Sequence, residues 1–152
     1  MKDITLKEVE YIAYDLARKT MKWDEPIPEF NTRFPNKLES CIVTPFLKFN
    51  NKVLYKGLTE KAAMLFYLMV KNHPFQNGNK RIAMTTLLVF LFKNNKWIEV
   101  DNTKLYNFAK WVAASDPQVK EQVVQATAEF LKRNLKKLKH NSNIVDNTPH
   151  LK

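Results

Sequence analysis

The chain has 152 residues and a formal net charge of +10. Its length is that of one domain, and its 45% hydrophobic residues can form a substantial core. Its two glycines argue against a turn-rich all-β fold, and its single cysteine, Cys41, excludes an internal disulfide and fits a reducing cytoplasm. We expect no signal peptide, because no apolar run follows the first charges. We expect no membrane span, because the longest uncharged apolar stretch, residues 82–92, is too short.

The N-terminal third is predicted to hold a helix, a connector and a second, short helix. Thr5 and Glu8 form a capping-box pattern at the start of a helix that ends near Thr20. Its apolar residues Val9, Ile12, Ala13 and Leu16 fall on one face. Three prolines make residues 22–36 an irregular connector. A short helix is expected over residues 37–44, because a proline follows and stops it.

Residues 46–55 break the helical period and are predicted to form a β-hairpin. Asn50 and Asn51 stand at its centre, and asparagine tolerates the positive φ that a two-residue turn requires. The hairpin residues on either side are Phe46, Leu47, Lys48, Phe49, Lys52, Val53, Leu54 and Tyr55. We expect this hairpin to be the only sheet, and to lean on the core because an isolated hairpin is marginal.

Two central helices are predicted on either side of a short loop. The first begins after Thr59 and must end by His73, because a residue before proline is pushed out of the α region. The second runs from about Asn79 to Lys93 and carries no charge over residues 82–92. A helix that is apolar on every face belongs in the middle of a bundle.

The C-terminal third is predicted to add two more helices. The first begins at residue 102 or 103 and ends at 113, and the second runs from 117 to about 138. We therefore expect an all-α bundle around a buried central helix, with one domain over residues 1–138. Residues 139–152 are rich in polar residues and are expected to form a flexible tail.

Residues 73–81, His-Pro-Phe-Gln-Asn-Gly-Asn-Lys-Arg, carry the strongest functional signal. Lys80 and Arg81 fall in the first turn of the second central helix, where the helix dipole disfavours each cation by roughly 0.3–1 kcal/mol. No acidic residue occurs between Lys61 and Ile98 to compensate them. An anionic ligand is the expected partner, since helix N-termini bind anions.

The other residues of this loop have both structural and functional interpretations. His73 alone is more often a helix-terminal residue than a base, but its position beside an anion site favours general-base chemistry. Gly78 permits a positive φ or a close backbone approach, and Asn79 is suited to cap the next helix. Arg81 suits bidentate contact with phosphate oxygens, whereas Lys80 acts as a mobile point charge.

The nonapeptide resembles the signature of the Fic/Doc family, whose pattern is roughly H-P-F-x-D/E-G-N-G/K-R. The likeness extends over about residues 36–130 and points to the death-on-curing (Doc) branch, which has lysine at the position of Lys80. It implies a Fic-type all-α fold with the hairpin 46–55 as a flap over the active site. That flap would align the target protein by strand addition.

The resemblance also implies an activity. Family members transfer a phosphate-containing group from ATP, with Mg²⁺, to a Ser, Thr or Tyr hydroxyl of a target protein, and Lys80 favours phosphoryl transfer over AMP transfer. A Doc-like protein is a bacterial cytoplasmic toxin that acts on a translation factor and is restrained by an antitoxin. An AMP-transferring Fic enzyme remains the alternative.

Carried over by position, the resemblance assigns a role to each loop residue. His73 is the general base and Arg81 the catalytic cation. Gly78, Asn79, Lys80 and Arg81 bind the nucleotide phosphates.

Asn77 departs from the family pattern, which has a carboxylate there that helps to hold Mg²⁺. Because Mg²⁺ usually relies on one or two carboxylates plus substrate phosphates, we expect Asn77 to be a weak metal ligand. A catalytically weak nucleotide-binding member is therefore a further alternative. A nucleic-acid-binding helical domain, suggested by the charge of +10, ranks last because it does not account for the loop.

Overall fold

The structure is a computed structural model that describes residues 1–138. Within that range the chain forms six helices and two small antiparallel sheets, which confirms the expected all-α class. The helices are α1 (Leu6–Glu8, π-helical Val9–Tyr14 and Asp15–Thr20), α2 (Pro35–Val43), α3 (Leu58–Lys71), α4 (Asn79–Lys93), α5 (Asn102–Ala114) and α6 (Lys120–Asn134). The strands are β1 (Lys48–Phe49), β2 (Lys52–Val53), β3 (Lys96–Ile98) and β4 (Leu135–Lys137).

Helix α1 begins and ends where the sequence predicts, but its middle turns differ. The Glu8 N–H donates to the Thr5 hydroxyl at 3.1 Å, and the Thr5 N–H donates to the Glu8 carboxylate at 2.9 Å, which is the predicted capping box. The central π-helical segment has more residues per turn than an α-helix. The buried face is therefore Val9, Ala13, Tyr14 and Ala17, whereas Ile12 and Leu16, predicted to share it, are exposed.

Helix α4 is buried at the centre of the bundle, as predicted, and α3 packs beside it. In α4 eleven residues are buried, from Asn79 to Leu91, and the helix packs against α1, α3 and α5. Each large apolar side chain buried in this way contributes about 1.5–3 kcal/mol. Leu58 at the start of α3 and Lys93 at the end of α4 line the same cleft, so the two helices are antiparallel.

The predicted β1–β2 hairpin is present, with Lys48 opposite Val53 and Phe49 opposite Lys52. Asn50 and Asn51 have φ of 51° and 63°, the left-handed conformation expected of a two-residue turn. At its base the ring of Phe46 packs edge-on against Phe90 with centroids 5.6 Å apart. The hairpin therefore leans on the C-terminal end of α4.

The expectation that this hairpin is the only sheet is wrong. Strand β3 pairs with β4, with Trp97 opposite Lys136, so the last helix ends at Asn134 rather than near residue 138. The Glu99 N–H donates to the Asn134 carbonyl at 2.9 Å and thereby holds the start of β4 beside β3. This long-range pairing overrides the helical preference of the Leu-Lys-Lys segment.

The predicted tail, residues 139–152, lies outside the described residues. Of the helices formed by residues 1–138, none combines the length and the hydropathy that crossing a bilayer requires.

Candidate functional site

The loop between α3 and α4 presents His73 to solvent on a backbone that is anchored in the core. Helix α3 ends at Lys71, as predicted, and His73 has a φ of +48°. The side chain of Phe75 is 1% exposed and stacks on the ring of Tyr14 with centroids 6.0 Å apart. The Pro74 carbonyl accepts the Phe34 N–H at 2.8 Å. An exposed imidazole is thus followed at once by two buried residues, which fix where it emerges.

The Asn79 side chain closes this loop rather than capping α4. Its amide oxygen accepts the Phe75 N–H and its amide nitrogen donates to the Phe75 carbonyl, both at 2.8 Å. The same nitrogen lies 3.4 Å from Nδ1 of His73. The N-cap position belongs instead to Gly78. The Asn79 amide therefore holds the loop and the imidazole, a role that its place in the sequence did not predict.

The N-terminus of α4 offers unbonded backbone donors. The first helical bond is donated by Ile82 to the Gly78 carbonyl at 2.9 Å. The N–H groups of Asn79, Lys80 and Arg81 come before it and have no acceptor among the described residues. Three unbonded N–H groups at the positive end of a helix dipole can bind an anion.

Gly78 is required at this turn for two reasons. Its φ is +77°, and a Cβ there would lie 2.7 Å from Cγ1 of Ile27 in the connector. The connector therefore passes directly over the start of α4. The Gly78 N–H itself is not free, since it donates to the Asn77 Oδ1 at 2.7 Å.

Arg81 is almost fully buried and bonded to the connector. Its side chain is 2% exposed, and it donates to the carbonyls of Met21 at 3.0 Å and Glu25 at 2.6 Å. The guanidinium lines a cleft of about 270 Å³ together with Arg18 and Lys22. One of these bonds thus holds the end of α1 and the other holds the connector against α4. The other three guanidinium N–H groups have no acceptor among the described residues. By contrast, Lys80 is half-buried and has no carboxylate within 4.0 Å in the part of the chain that the structure describes.

Asn77 faces the connector with both ends of its amide engaged. Its nitrogen lies 3.2 Å from the Pro26 carbonyl and 3.4 Å from the Glu25 carboxylate, and its oxygen is held by Gly78. Residues 1–138 contain no group of three or more His, Cys, Asp or Glu side chains placed to hold a metal. The oxygen atoms near Asn77 are too few to hold Mg²⁺ alone. They fit Mg²⁺ only if nucleotide phosphates supply most of its ligands. Sequence reasoning missed Glu25, which is 52 residues away in the chain.

The structure brings the loop residues together but does not bring the hairpin to them. Lys48 and Val53 line a cleft with Lys93, at the end of α4 opposite to His73. Phe90, which the hairpin base contacts, is eleven residues from Asn79, or about 17 Å along a helix axis. Phe49 is 66% exposed. The docking role of residues 46–55 remains a prediction.

Comparison with known proteins gives one match. A family model described as the Fic/DOC family matches residues 3–91, more than half of the chain, and this range includes the whole loop 73–81. No curated protein and no solved structure matches the chain significantly.

Proposed function

Because the chain belongs to the Fic/DOC family, we propose that it is a protein-modifying transferase that moves a phosphate-containing group from ATP to a Ser, Thr or Tyr hydroxyl. The observation that carries the proposal is the exposed imidazole of His73 beside the open N-terminus of α4. This arrangement puts a base next to a site for phosphate. Because the histidine is at the surface, a side chain of another protein can reach it.

The chemistry divides between these two groups. His73 takes the proton of the target hydroxyl. The hydroxyl oxygen attacks phosphorus, and the bond between phosphorus and the oxygen of the leaving phosphate breaks. A general base of this kind contributes roughly 10²–10⁴-fold in rate. The N–H groups of Asn79, Lys80 and Arg81 stabilise the charge on the phosphate oxygens. Mg²⁺, when bound with ATP, supplies further neutralisation of the phosphates.

We assign phosphoryl transfer rather than AMP transfer, and a Doc-like toxin function, on the basis of Lys80. In this proposal the half-buried ammonium of Lys80 binds the ATP phosphates so that the γ phosphorus, and not the α phosphorus, faces the target hydroxyl. In this proposal the target is a bacterial translation factor in the cytoplasm, and an antitoxin protein restrains the enzyme. The experiment below distinguishes this kinase activity from the alternative, AMP transfer.

The test is label transfer from ATP to the proteins of a bacterial lysate. The purified protein is incubated with ATP labelled at the α or the γ phosphorus, and His73→Ala serves as the inactive control. Label from the γ position alone identifies a kinase, and label from the α position identifies AMP transfer. Equal labelling by the wild type and His73→Ala would contradict the proposal.

A second candidate is a catalytically silent nucleotide-binding member of the family. It is favoured by the Asn77 side chain, whose oxygen accepts the Gly78 N–H and which brings no negative charge to a metal. This candidate predicts ATP binding without transfer of either label. Expression in bacteria separates the two: growth arrest that His73→Ala abolishes supports the enzyme, whereas growth unaffected by the wild type supports the silent form.

A further inference from the structure

The connector before α2 brings one carboxylate to the candidate site. Glu25 lies 3.4 Å from the Asn77 amide nitrogen, and within residues 1–138 it is the only acidic side chain hydrogen-bonded to the loop 73–81. The side chain is exposed, so its other carboxylate positions are open to water or to a ligand.

A buried cation fixes where Glu25 lies. The Arg81 guanidinium, 2% exposed, donates to the Glu25 backbone carbonyl at 2.6 Å and to the Met21 carbonyl at 3.0 Å. Asn77 holds the next residue through the Pro26 carbonyl at 3.2 Å. The backbone on both sides of the carboxylate is therefore bonded to the loop and to α4, and the placement does not depend on the carboxylate itself.

A carboxylate at this place conflicts with an anion site unless a cation separates them. The unbonded N–H groups at the start of α4 attract phosphate, and a nearby negative charge repels it. Mg²⁺ would remove this repulsion, because it binds one or two carboxylates together with substrate phosphates and keeps several waters. An exposed carboxylate is suited to this, since it can bind the ion directly or through a retained water.

We propose that Glu25 supplies the carboxylate for the nucleotide-bound divalent cation, in place of the acid that position 77 lacks. The proposal rests on the proposed function, since it needs a nucleotide at the α4 N-terminus. Asn77 then acts as a neutral neighbour that orients the connector. The loop and the connector together form the cation site, although they are far apart in the chain.

The test is a titration of Mn²⁺, followed by its electron paramagnetic resonance signal, into the protein with a non-hydrolysable ATP analogue. The variants are Glu25→Gln, the matched control Glu29→Gln on the same connector, and the double variant Glu25→Gln with Asn77→Asp. Nucleotide binding is measured separately in the presence of a chelator. Glu25→Gln keeps the carbonyl that Arg81 bonds, so thermal unfolding is expected to match that of the wild type.

Glu25→Gln is expected to weaken Mn²⁺ binding to the protein–nucleotide complex at least about tenfold, the scale on which a metal-supporting group acts. Glu29→Gln is expected to leave it unchanged, and the double variant to restore it. Unchanged Mn²⁺ affinity in Glu25→Gln, with the nucleotide bound, overturns this inference and leaves the proposed function intact. Failure of the nucleotide to bind overturns both.

Discussion

Gly78 lies where the loop, the connector and α4 meet. An added Cβ would contact Ile27 Cγ1 at 2.7 Å on a backbone with φ +77°. Ile27 is buried, so it cannot turn away into solvent. A side chain at position 78 must therefore push the Ile27 side chain away from the start of α4.

We predict that Gly78→Ala lowers stability by at least about 1–2 kcal/mol, the cost of a left-handed residue with a Cβ, and also weakens ATP binding. Gly57→Ala is the control for ATP binding: its backbone (φ +78°, ψ +164°) also disfavours a Cβ, so this variant is expected to lose stability too, but the added Cβ would meet the flexible carboxylate end of Glu60, far from the loop. Denaturant unfolding and ATP titration of both variants check this. Equal loss of ATP affinity in the folded fraction of both would contradict it.

Position 77 gives a second prediction. Asn77→Asp adds a carboxylate beside the phosphate site, so it is expected to strengthen Mg²⁺ binding in the presence of ATP and to raise the rate of transfer. Isothermal titration with Mg²⁺ and the labelled-ATP assay measure the two effects. An unchanged Mg²⁺ affinity together with an unchanged rate would show that this position does not limit metal use.

Individual residues differ in how far the sequence predicts their place. The loop position of His73 and the anchoring of Phe75 follow from local features, namely a proline that ends the helix and an aromatic ring beside it. The bonds of Asn79 to Phe75 and of Arg81 to Met21 do not. These bonds depend on which backbone carbonyls the fold brings near the side chain. The sequence does not select them, because an amide or a guanidinium can bond to many different partners.

At the scale of the elements, local signals predict α3, α4 and the β1–β2 hairpin, because apolar runs separated by Pro74 mark the two helices and the Asn-Asn turn marks the hairpin. The caps expected at Thr59 and Asn79 are wrong, since the N-cap residues are Gly57 and Gly78. The β3–β4 pair was missed because strand pairing between residues 96–98 and 135–137 joins distant segments. The π-helical turn of α1 was missed for a related reason. Its buried face is set by contact with α4, and the helical spacing of Val9, Ile12, Ala13 and Leu16 gives no sign of the π-helical segment.

The hairpin is where the family expectation and the geometry differ most. We predict that Phe49→Ala, at a 66% exposed side chain, leaves stability and ATP affinity unchanged. If the hairpin docks the target, the same variant raises the KM for the target protein without changing kcat, because it removes binding and not chemistry. The labelled-ATP assay at varied target concentration measures both constants. An unchanged KM would exclude Phe49 from docking.

At the scale of the molecule, the N-terminal segment is fastened to both ends of α4. Glu8 forms an ion pair with Lys93 at 2.7 Å at one end, and the Met21 carbonyl accepts Arg81 at the other. Helix α1 therefore lies antiparallel to α4 along its whole length. The start of the chain is a structural part of the domain that carries the loop.

The Glu8 pair makes stability depend on pH. Burial raises the pKa of Glu8, but hydrogen bonds from Lys93 and Thr5 outweigh it, so the pKa lies below its usual value. A carboxyl with a lowered folded pKa stabilises the fold above its unfolded pKa, and this stability is lost as pH falls through the folded pKa. We predict that the free energy of unfolding of Glu8→Gln falls less than that of the wild type as the pH is lowered. Urea unfolding between pH 3 and 7 measures this (roughly spanning the usual carboxyl range). Parallel curves for the two proteins would contradict this.

The aromatic rings beneath the loop bear on the association rate expected for the proposed nucleotide. Tyr14 and Phe30 pack on Phe75 with centroids 6.0 and 5.8 Å away, and these contacts hold the turn against the core. For the proposed nucleotide, we therefore expect no slow rearrangement of the loop before binding. We expect the association rate to be set by diffusion and by the net positive charge of the chain, and to fall as ionic strength rises.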